Sequence, residues 1–235
     1  MIPQSDIDKF NENKQKKKTI SYQQTWTTIF FLSFNFYILM IIYLFNGIFP
    51  ILLGWYLSDF FSGLFHIYFD NRITTRITNT HEELIYSFQY IHHINPKEFI
   101  NNHSIFACGG EPGVLKLSFG LFLLLYFISD NTSYKLMIST FSLGNSVSQV
   151  NHGFSHMNYN ELNIIIKFLQ KSKIILSNEE HNKHHIKGEL KYAIVNGWSN
   201  PLLDYLFIYH IQPLMNQYPQ FFKKQKLILD SKILE

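Results

Sequence analysis

Cysteine is almost missing: Cys108 stands alone among 235 residues. That excludes an intrachain disulfide framework and any cysteine-based zinc module. Charge is also sparse, at 16% Asp, Glu, Lys and Arg with a formal net charge of +3, too little and too scattered for a nucleic-acid-binding surface. No internal repeat is evident, and the polar, lysine-bearing residues 1–25 hold no apolar run of signal-peptide type. What the chain does have is ring area, with 23 Phe and 14 Tyr, which excludes a disordered, solvating polymer because so much aromatic surface needs burial. It also has 11 histidines. The mean hydropathy of −0.03 averages over very unequal segments.

Four of those segments are apolar. Thr27 to Phe45 carries no charged residue, and Ile48 to Phe69 follows after a turn at Asn46, Gly47 and Pro50. Val114 to Ile128 is shorter, and Tyr134 to about Val150 is only moderately apolar. At a rise of about 1.5 Å per residue, runs like the first two match a hydrocarbon core of roughly 30 Å. The basic residues give a direction: of 20 Lys and Arg, only Lys135 falls near the side reached by the loops at 46–47 and 129–133, a positive-inside pattern with both termini cytosolic. The stretch 161–176 is apolar on one helical face and lysine-bearing on the other, which suits a helix lying in the interface. Residues 201–215 are similar, and 216–235 read as an exposed tail without catalytic interest.

The histidines fall on one side of this topology. His66 and Asp70 sit at the cytosolic end of the second run, and His152 and His156 just past the end of the fourth. His92–His93 lies in the central cytosolic segment, and His181, His184 and His185 in the cytosolic part after the fourth run. The i,i+4 and i,i+3,i+4 spacings put three of these sets, all but His92–His93, each on one helix face. Imidazole is the common ligand of iron, copper, zinc and nickel, so three clusters on one face imply metal. His81 and His210 read as surface residues. Asp59, Ser62, His66 and Asp70 form a polar stripe along the second run, and Asn145, Gln149, His152 and His156 one along the fourth. Asp59 is expected to orient a ligating ring, and Asn145 and Gln149 either do the same or bond between helices.

So many nitrogen ligands exceed the needs of one tetrahedral zinc, and two ions sharing the clusters is the economical arrangement. Nitrogen-rich sites without thiolate suit oxygen-activating non-haem iron, and a site at the membrane face is placed to attack an alkyl or acyl chain. Zinc would instead imply hydrolysis of a membrane lipid through an activated water. A metal transporter would hold its ligands near the bilayer midplane, whereas these cluster at one end of the runs.

The segments SDFFSGLFHIYFD (58–70), YIHHINPKEFI (90–100), NNHSIF (101–106), QVNHGFSHMN (149–158), LQKSKIILSNEEHNKHH (169–185) and YAIVNGWSNPLLD (192–204) resemble, in order and spacing, the Kua-type lipid desaturases. That family includes plasmanylethanolamine desaturase and the bacterial CarF proteins. The resemblance implies a di-iron oxidoreductase using O2 and electrons, with a cytochrome b5-type donor in eukaryotes. It implies His66, Asp70, His92, His93, His103, His152, His156, His181, His184 and His185 as the metal residues. The implied reaction converts a 1-O-alkyl chain to the 1-O-alk-1′-enyl chain of a plasmalogen, and a sister reaction is desaturation or hydroxylation of an acyl chain on another glycerolipid. The chain departs from the family at Asn71-Arg72-Ile73, Ser172–Lys173 and Glu180.

The expected architecture is thus an all-α integral membrane protein of about four transmembrane helices with a cytosolic histidine-rich helical cap. Residues 1–25 form a polar cytosolic tail, 26–205 the desaturase membrane domain and 206–235 a C-terminal tail. The expected location is the endoplasmic reticulum membrane, or the inner membrane of a bacterium.

Overall fold

A computed structural model of the chain describes residues 2–17, 32–43, 47–94, 120–187 and 190–223. Helix dominates, and the strand-like pairing among the described residues is an isolated bridge between Arg72 and Phe222. An N-terminal helix, α1 (Gln4–Lys17), is tied to the body by Asp6, whose carboxylate accepts from the Arg76 guanidinium at 2.7 Å.

Two long helices carry the fold. In α2 (Phe49–Asn71), Pro50 fits the first turn, where its missing N–H costs nothing. The other, α4 (Thr132–His156), starts at Asn131, whose side chain accepts from Tyr134 N at 2.9 Å. They pack closely because small residues meet: a Cβ on Gly54 would lie 2.3 Å from the Met137 carbonyl oxygen, and one on Gly144 2.0 Å from Ser58 Oγ. Higher along the pair Phe61 meets Phe141, with ring centroids 5.5 Å apart, and His66 meets His152 at 5.3 Å. The contacts advance together along both chains, so α2 and α4 run parallel. Their histidine-bearing C-terminal ends therefore lie side by side.

Shorter helices surround that end. Asn79 caps α3 (Thr80–Tyr86) by accepting from Glu82 N at 3.0 Å, and α3 continues into a π-helical turn, Ser87–His92. After α4 come α5 (Ile164–Lys171), capped by Asn163, and α6 (Asn178–Lys187), where Ser177 Oγ accepts from Glu180 N at 3.3 Å. An irregular segment, 190–199, leads into α7 (Asn200–Leu206), a second π turn (Phe207–Ile211) and α8 (Gln212–Gln217). Ile67, Leu190, Tyr192, Ala193, Leu203, Phe207 and Met215 form the apolar core beneath the site.

Two expectations meet the structure here. Among the described residues no helix is long and apolar enough to cross a membrane. The second and fourth apolar runs are helices, but their mutual faces are polar and small, with Ser58, Asp59, Ser62, His66 and Asp70 buried on α2 and Ser139, Thr140, Ser142, Ser146 and Ser148 on α4. Residues 32–43 of the first run and 120–126 of the third are helical, whereas 27–31, 44–45 and 114–119 lie outside the described residues. The described part of the expected exposed tail, 216–223, is mostly exposed, while the stretch ahead of it packs onto the body. Phe207 and Met215 are buried, and 221–223 pairs with the end of α2 through Ile73 N to Phe221 O (2.8 Å) and Lys223 N to Asn71 O (2.9 Å). The Arg72 guanidinium lies 4.9 Å from the Phe221 ring centroid.

Candidate metal centre

Helical geometry delivers most of the histidines. His152 and His156 project from one face of α4, and His181, His184 and His185 from one face of α6. The π turn brings His92 and the adjacent His93 in from the opposite side. It is held to α2 by Gln89, whose side-chain amide donates to the Phe69 carbonyl at 2.7 Å and to that of Arg72, satisfying acceptors left open at the end of α2.

Five rings then converge through Nε2. His152 lies 2.9 Å from His92, 3.0 Å from His181 and 3.3 Å from His156, and His181 lies 3.4 Å from His92 and 3.0 Å from His156. His185 lies 3.1 Å from both His92 and His181. Beside them is a second group around Asp70. Its Oδ2 is 3.3 Å from His66 Nε2, 3.1 Å from His93 Nε2 and 3.2 Å from His184 Nε2. Two four-residue sets fit a metal ion: His92, His152, His156 and His181, and His66, Asp70, His92 and His93. His66, His92, His152, His181 and His184 are at most 1% exposed.

Protons alone leave this arrangement unsatisfied. His92, His152 and His181 form a triangle of mutual Nε2 contacts. Each such nitrogen either donates or accepts, so donor and acceptor cannot alternate around three members, and at least one pair opposes like with like. The Asp70 group has the same conflict in another form. His66 Nδ1 is 3.0 Å from the Tyr192 carbonyl oxygen and His184 Nδ1 is 2.9 Å from that of Leu190. A carbonyl only accepts, so both Nδ1 atoms carry the proton and each neutral ring turns a lone pair on the carboxylate. His66 Nε2, His184 Nε2 and Asp70 Oδ1 are buried with no hydrogen-bond partner. A cation in each group resolves both conflicts. Nitrogen ligands at about 2.0–2.1 Å from one ion stand roughly 2.9–3.4 Å from each other, and the Nε2 separations here span that interval.

Electrostatics favour the ligating form. Burial, with the neighbouring imidazoles, holds His92 and His181 well below the usual imidazole value, and burial likewise holds His185 at about 3. Neutral rings have the lone pairs a metal needs. Backbone carbonyls on the far nitrogen fix tautomer and tilt, as they do for metal-bound histidines generally.

Nine of the expected residues thus meet in one place. His103 lies outside the described residues. His81, expected on the surface, is exposed and lies 2.9 Å from the Tyr68 hydroxyl; His210 is exposed beside Tyr205. Asp59 does not touch a ring. Its carboxylate accepts from the backbone of 195–199 instead. Asn145 bonds its own helix, donating to Phe141 O at 2.8 Å. The carbonyls of Tyr192 and Leu190, Gln89, and Lys223, whose ammonium donates to the Asp70 carbonyl at 2.9 Å, have no signature in the sequence. Side-chain identity does not reveal which backbone carbonyl will face a ring.

An all-helical protein with a buried histidine centre of this kind has the ligand set of a metalloprotein. Residues 55–214 match the family model described as the lipid desaturase domain, and the chain belongs to that family. Neither curated proteins nor solved structures give a match. The matched span takes in every described ligand candidate, from His66 to His185, and family membership supports a desaturase that acts on lipid.

Proposed function

We propose that the protein is a membrane-bound di-iron desaturase of the Kua type, which forms the 1-O-alk-1′-enyl bond of plasmalogens from plasmanyl-ethanolamine lipid. It uses O2 and electrons from a cytochrome b5-type donor, at the cytosolic face of the endoplasmic reticulum or of a bacterial inner membrane. The observation that carries the reading is the pair of abutting ligand groups inside a lipid desaturase domain. His92, His152, His156, His181 and His185 would hold one iron, and His66, Asp70, His93 and His184 the other. Bound iron supplies the oxidising power drawn from O2 that an unactivated C–H bond demands, since such a bond offers no acid–base handle. Removing two hydrogens as water balances O2 with two electrons and two protons.

The chain's own residues do the rest. The buried rings exclude water, Asp70 contributes the negative charge in the centre, and the Tyr192 and Leu190 carbonyls keep the His66 and His184 lone pairs aimed at it. Membrane placement is supported by exposed apolar side chains along α2, including Phe49, Leu52, Phe61 and Phe65 beside His66. The parallel run of α2 and α4 supports it too, since two spans crossing in the same sense place their ends on one side. On α5, exposed Ile164, Ile165 and Phe168 share the helix with Lys167 and Lys171, the pattern of an interfacial helix.

The test is lipid profiling of cells with and without the gene, paired with metal analysis of the purified chain. Plasmalogen that appears only with the gene, with iron in the protein, supports the reading. Unchanged plasmalogen with an altered acyl-chain profile moves the substrate to another glycerolipid, and zinc without iron replaces desaturation by hydrolysis.

A further inference from the structure

Asp59 is fully buried on α2, seven residues before His66, and none of its hydrogen bonds goes to a histidine. Seven residues are close to two helical turns, so it stands on the same face as His66 and roughly 10 Å along the axis from it. Its Oδ1 accepts from Val195 N (3.0 Å), Asn196 N (2.8 Å) and Gly197 N (3.0 Å), and its Oδ2 from Ser199 N (2.8 Å) and Ser199 Oγ (2.8 Å). Between Asp59 and His66, Ser62 Oγ accepts from Ile194 N at 3.3 Å. At His66 itself, Nδ1 donates to Tyr192 O at 3.0 Å. The segment therefore descends the face of α2 on three polar rungs, with Asp59 the strongest. Two residues beyond the last rung, Leu190 O receives the Nδ1 proton of His184.

The segment has little else to fix its register. It forms no helix and no sheet ladder, yet Tyr192, Ala193, Ile194 and Val195 are at most 2% exposed. Buried backbone donors need partners, and here side chains provide them: Asp204 for Lys191 N, Asn200 for Ala193 N, Ser62 for Ile194 N, Asp59 for Val195, Asn196, Gly197 and Ser199 N, and Asn196 for Trp198 N. Gly197, at φ +83°, makes the reversal that lets consecutive N–H groups point at one carboxylate oxygen. Val195 O, at the far end, accepts from Leu176 N at 2.8 Å.

We propose that Asp59 is a positioning residue for one half of the metal centre: by clamping 195–199 it sets the height of the Tyr192 and Leu190 carbonyls and so aims His66 and His184 at the ion beside Asp70. This rests on the metal-centre reading above. The selectivity is the content of the proposal, since His66 and His184 belong to the Asp70 group, whereas the rings of the five-imidazole group come from the π turn, α4 and α6. In Asp59→Asn an amide N–H2 replaces an acceptor facing Ser199 N–H, so the clamp opens on one side with almost no change in volume.

The experiment uses the full chain in lipid nanodiscs, loaded with 57Fe, and reads iron per chain against graded chelator together with the Mössbauer spectrum. Asp59→Asn is expected to weaken one iron by about 10–100-fold, the usual cost of losing a residue that orients a ligand, and to leave the other iron's affinity and spectrum unchanged. Ser199→Ala, which removes a single bond to the same carboxylate, is expected to shift the same iron in the same direction by less. Unchanged affinities in both variants, or equal weakening of both irons in the well-folded Ser199→Ala chain, overturn the proposal. If Asp59→Asn fails to fold, Ser199→Ala decides alone by the same criterion. A wild-type chain that takes up no metal defeats the underlying reading before any variant is made, and the inference with it.

Discussion

The five-imidazole group and the Asp70 group lie against each other but are held by different means. In the first, every ligand candidate is neutral and comes from a helix or a π turn, so its geometry follows from helical spacing at 152/156 and 181/185 and from the position of His92. In the second, a carboxylate faces three rings, and two of those rings are aimed by carbonyls of a segment with no regular structure. One half of the centre is thus fixed locally. The other depends on chain far from it in sequence: the 190–199 segment clamped by Asp59 and the 221–223 segment paired beyond Asp70. Charge divides the same way. An ion among five imidazoles would keep its full charge, whereas one beside Asp70 would be partly compensated, so substitutions at the two halves should separate in metal content before they separate in activity.

The largest effect is expected where the halves meet. His92 Nε2 contacts three rings of the five-imidazole group and also falls within ligand distance of His66, Asp70 and His93. His92→Ala should remove or loosen both irons and reduce turnover by at least about 100-fold. Asp70→Asn should abolish turnover as fully but release a single iron, because it deletes the anion from one side only. Iron analysis of the two purified variants checks this. If Asp70→Asn empties the protein as completely as His92→Ala does, the two groups are one site and the comparison fails.

The sequence displays the locally fixed half well and the other half poorly. Spacings of three and four residues are enough to place His152 with His156 and His181 with His185, because helix geometry is local. Nothing local says that Asp59 reaches its histidines through the backbone of residues more than 130 positions away, or that Lys223 returns to the end of α2. A π turn is equally hidden: one extra residue in Ser87–His92 changes which direction His92 and His93 face without altering composition. The apolar runs at 48–69 and 134–150 are helical as expected, yet their polarity is concentrated where α2 meets α4. A linear count records that polarity as a defect in a span, although it is the packing surface.

A second test separates the halves by protonation in the metal-free protein. His92 and His181 are held well below the ordinary value by burial and neighbouring rings, and His185 at about 3 by burial first, whereas in the unfolded chain each titrates near about 6.5. Above about pH 6.5 neither state takes up these protons and stability is at its full level. As pH falls from there towards 3, the unfolded chain binds protons that the folded chain refuses, so folding weakens. The urea midpoint of the metal-free protein should therefore drop between pH 7.5 and 5.5. Asp70→Asn should preserve or deepen that drop, since burial is the main cause and the Asp70 charge works against the shift of His185. A flat profile would mean that the five rings are solvated or apart without metal, and that the neutral half is not fixed by its helices.

The smallest effect tests the most distant support. Lys223 Nζ donates to the Asp70 carbonyl at 2.9 Å, and burial pushes its ammonium below the usual lysine range while the Asp70 charge opposes that shift. The residue also extends the 221–223 pairing by its own N–H to Asn71 O. Lys223→Met keeps the backbone bond and most of the apolar stem and deletes only the charged donor. A single net hydrogen bond contributes about 1 kcal/mol, so the stability loss in urea should be near that figure. Because the bond goes to the backbone of Asp70 and not to its carboxylate, iron affinity at that group should weaken by less than tenfold, and the five-imidazole iron should be untouched. Loss of the five-imidazole iron in Lys223→Met would mean that the 221–223 segment braces the whole end of the bundle. The contrast between a locally fixed half and a remotely supported one would then give way to a single, jointly supported centre.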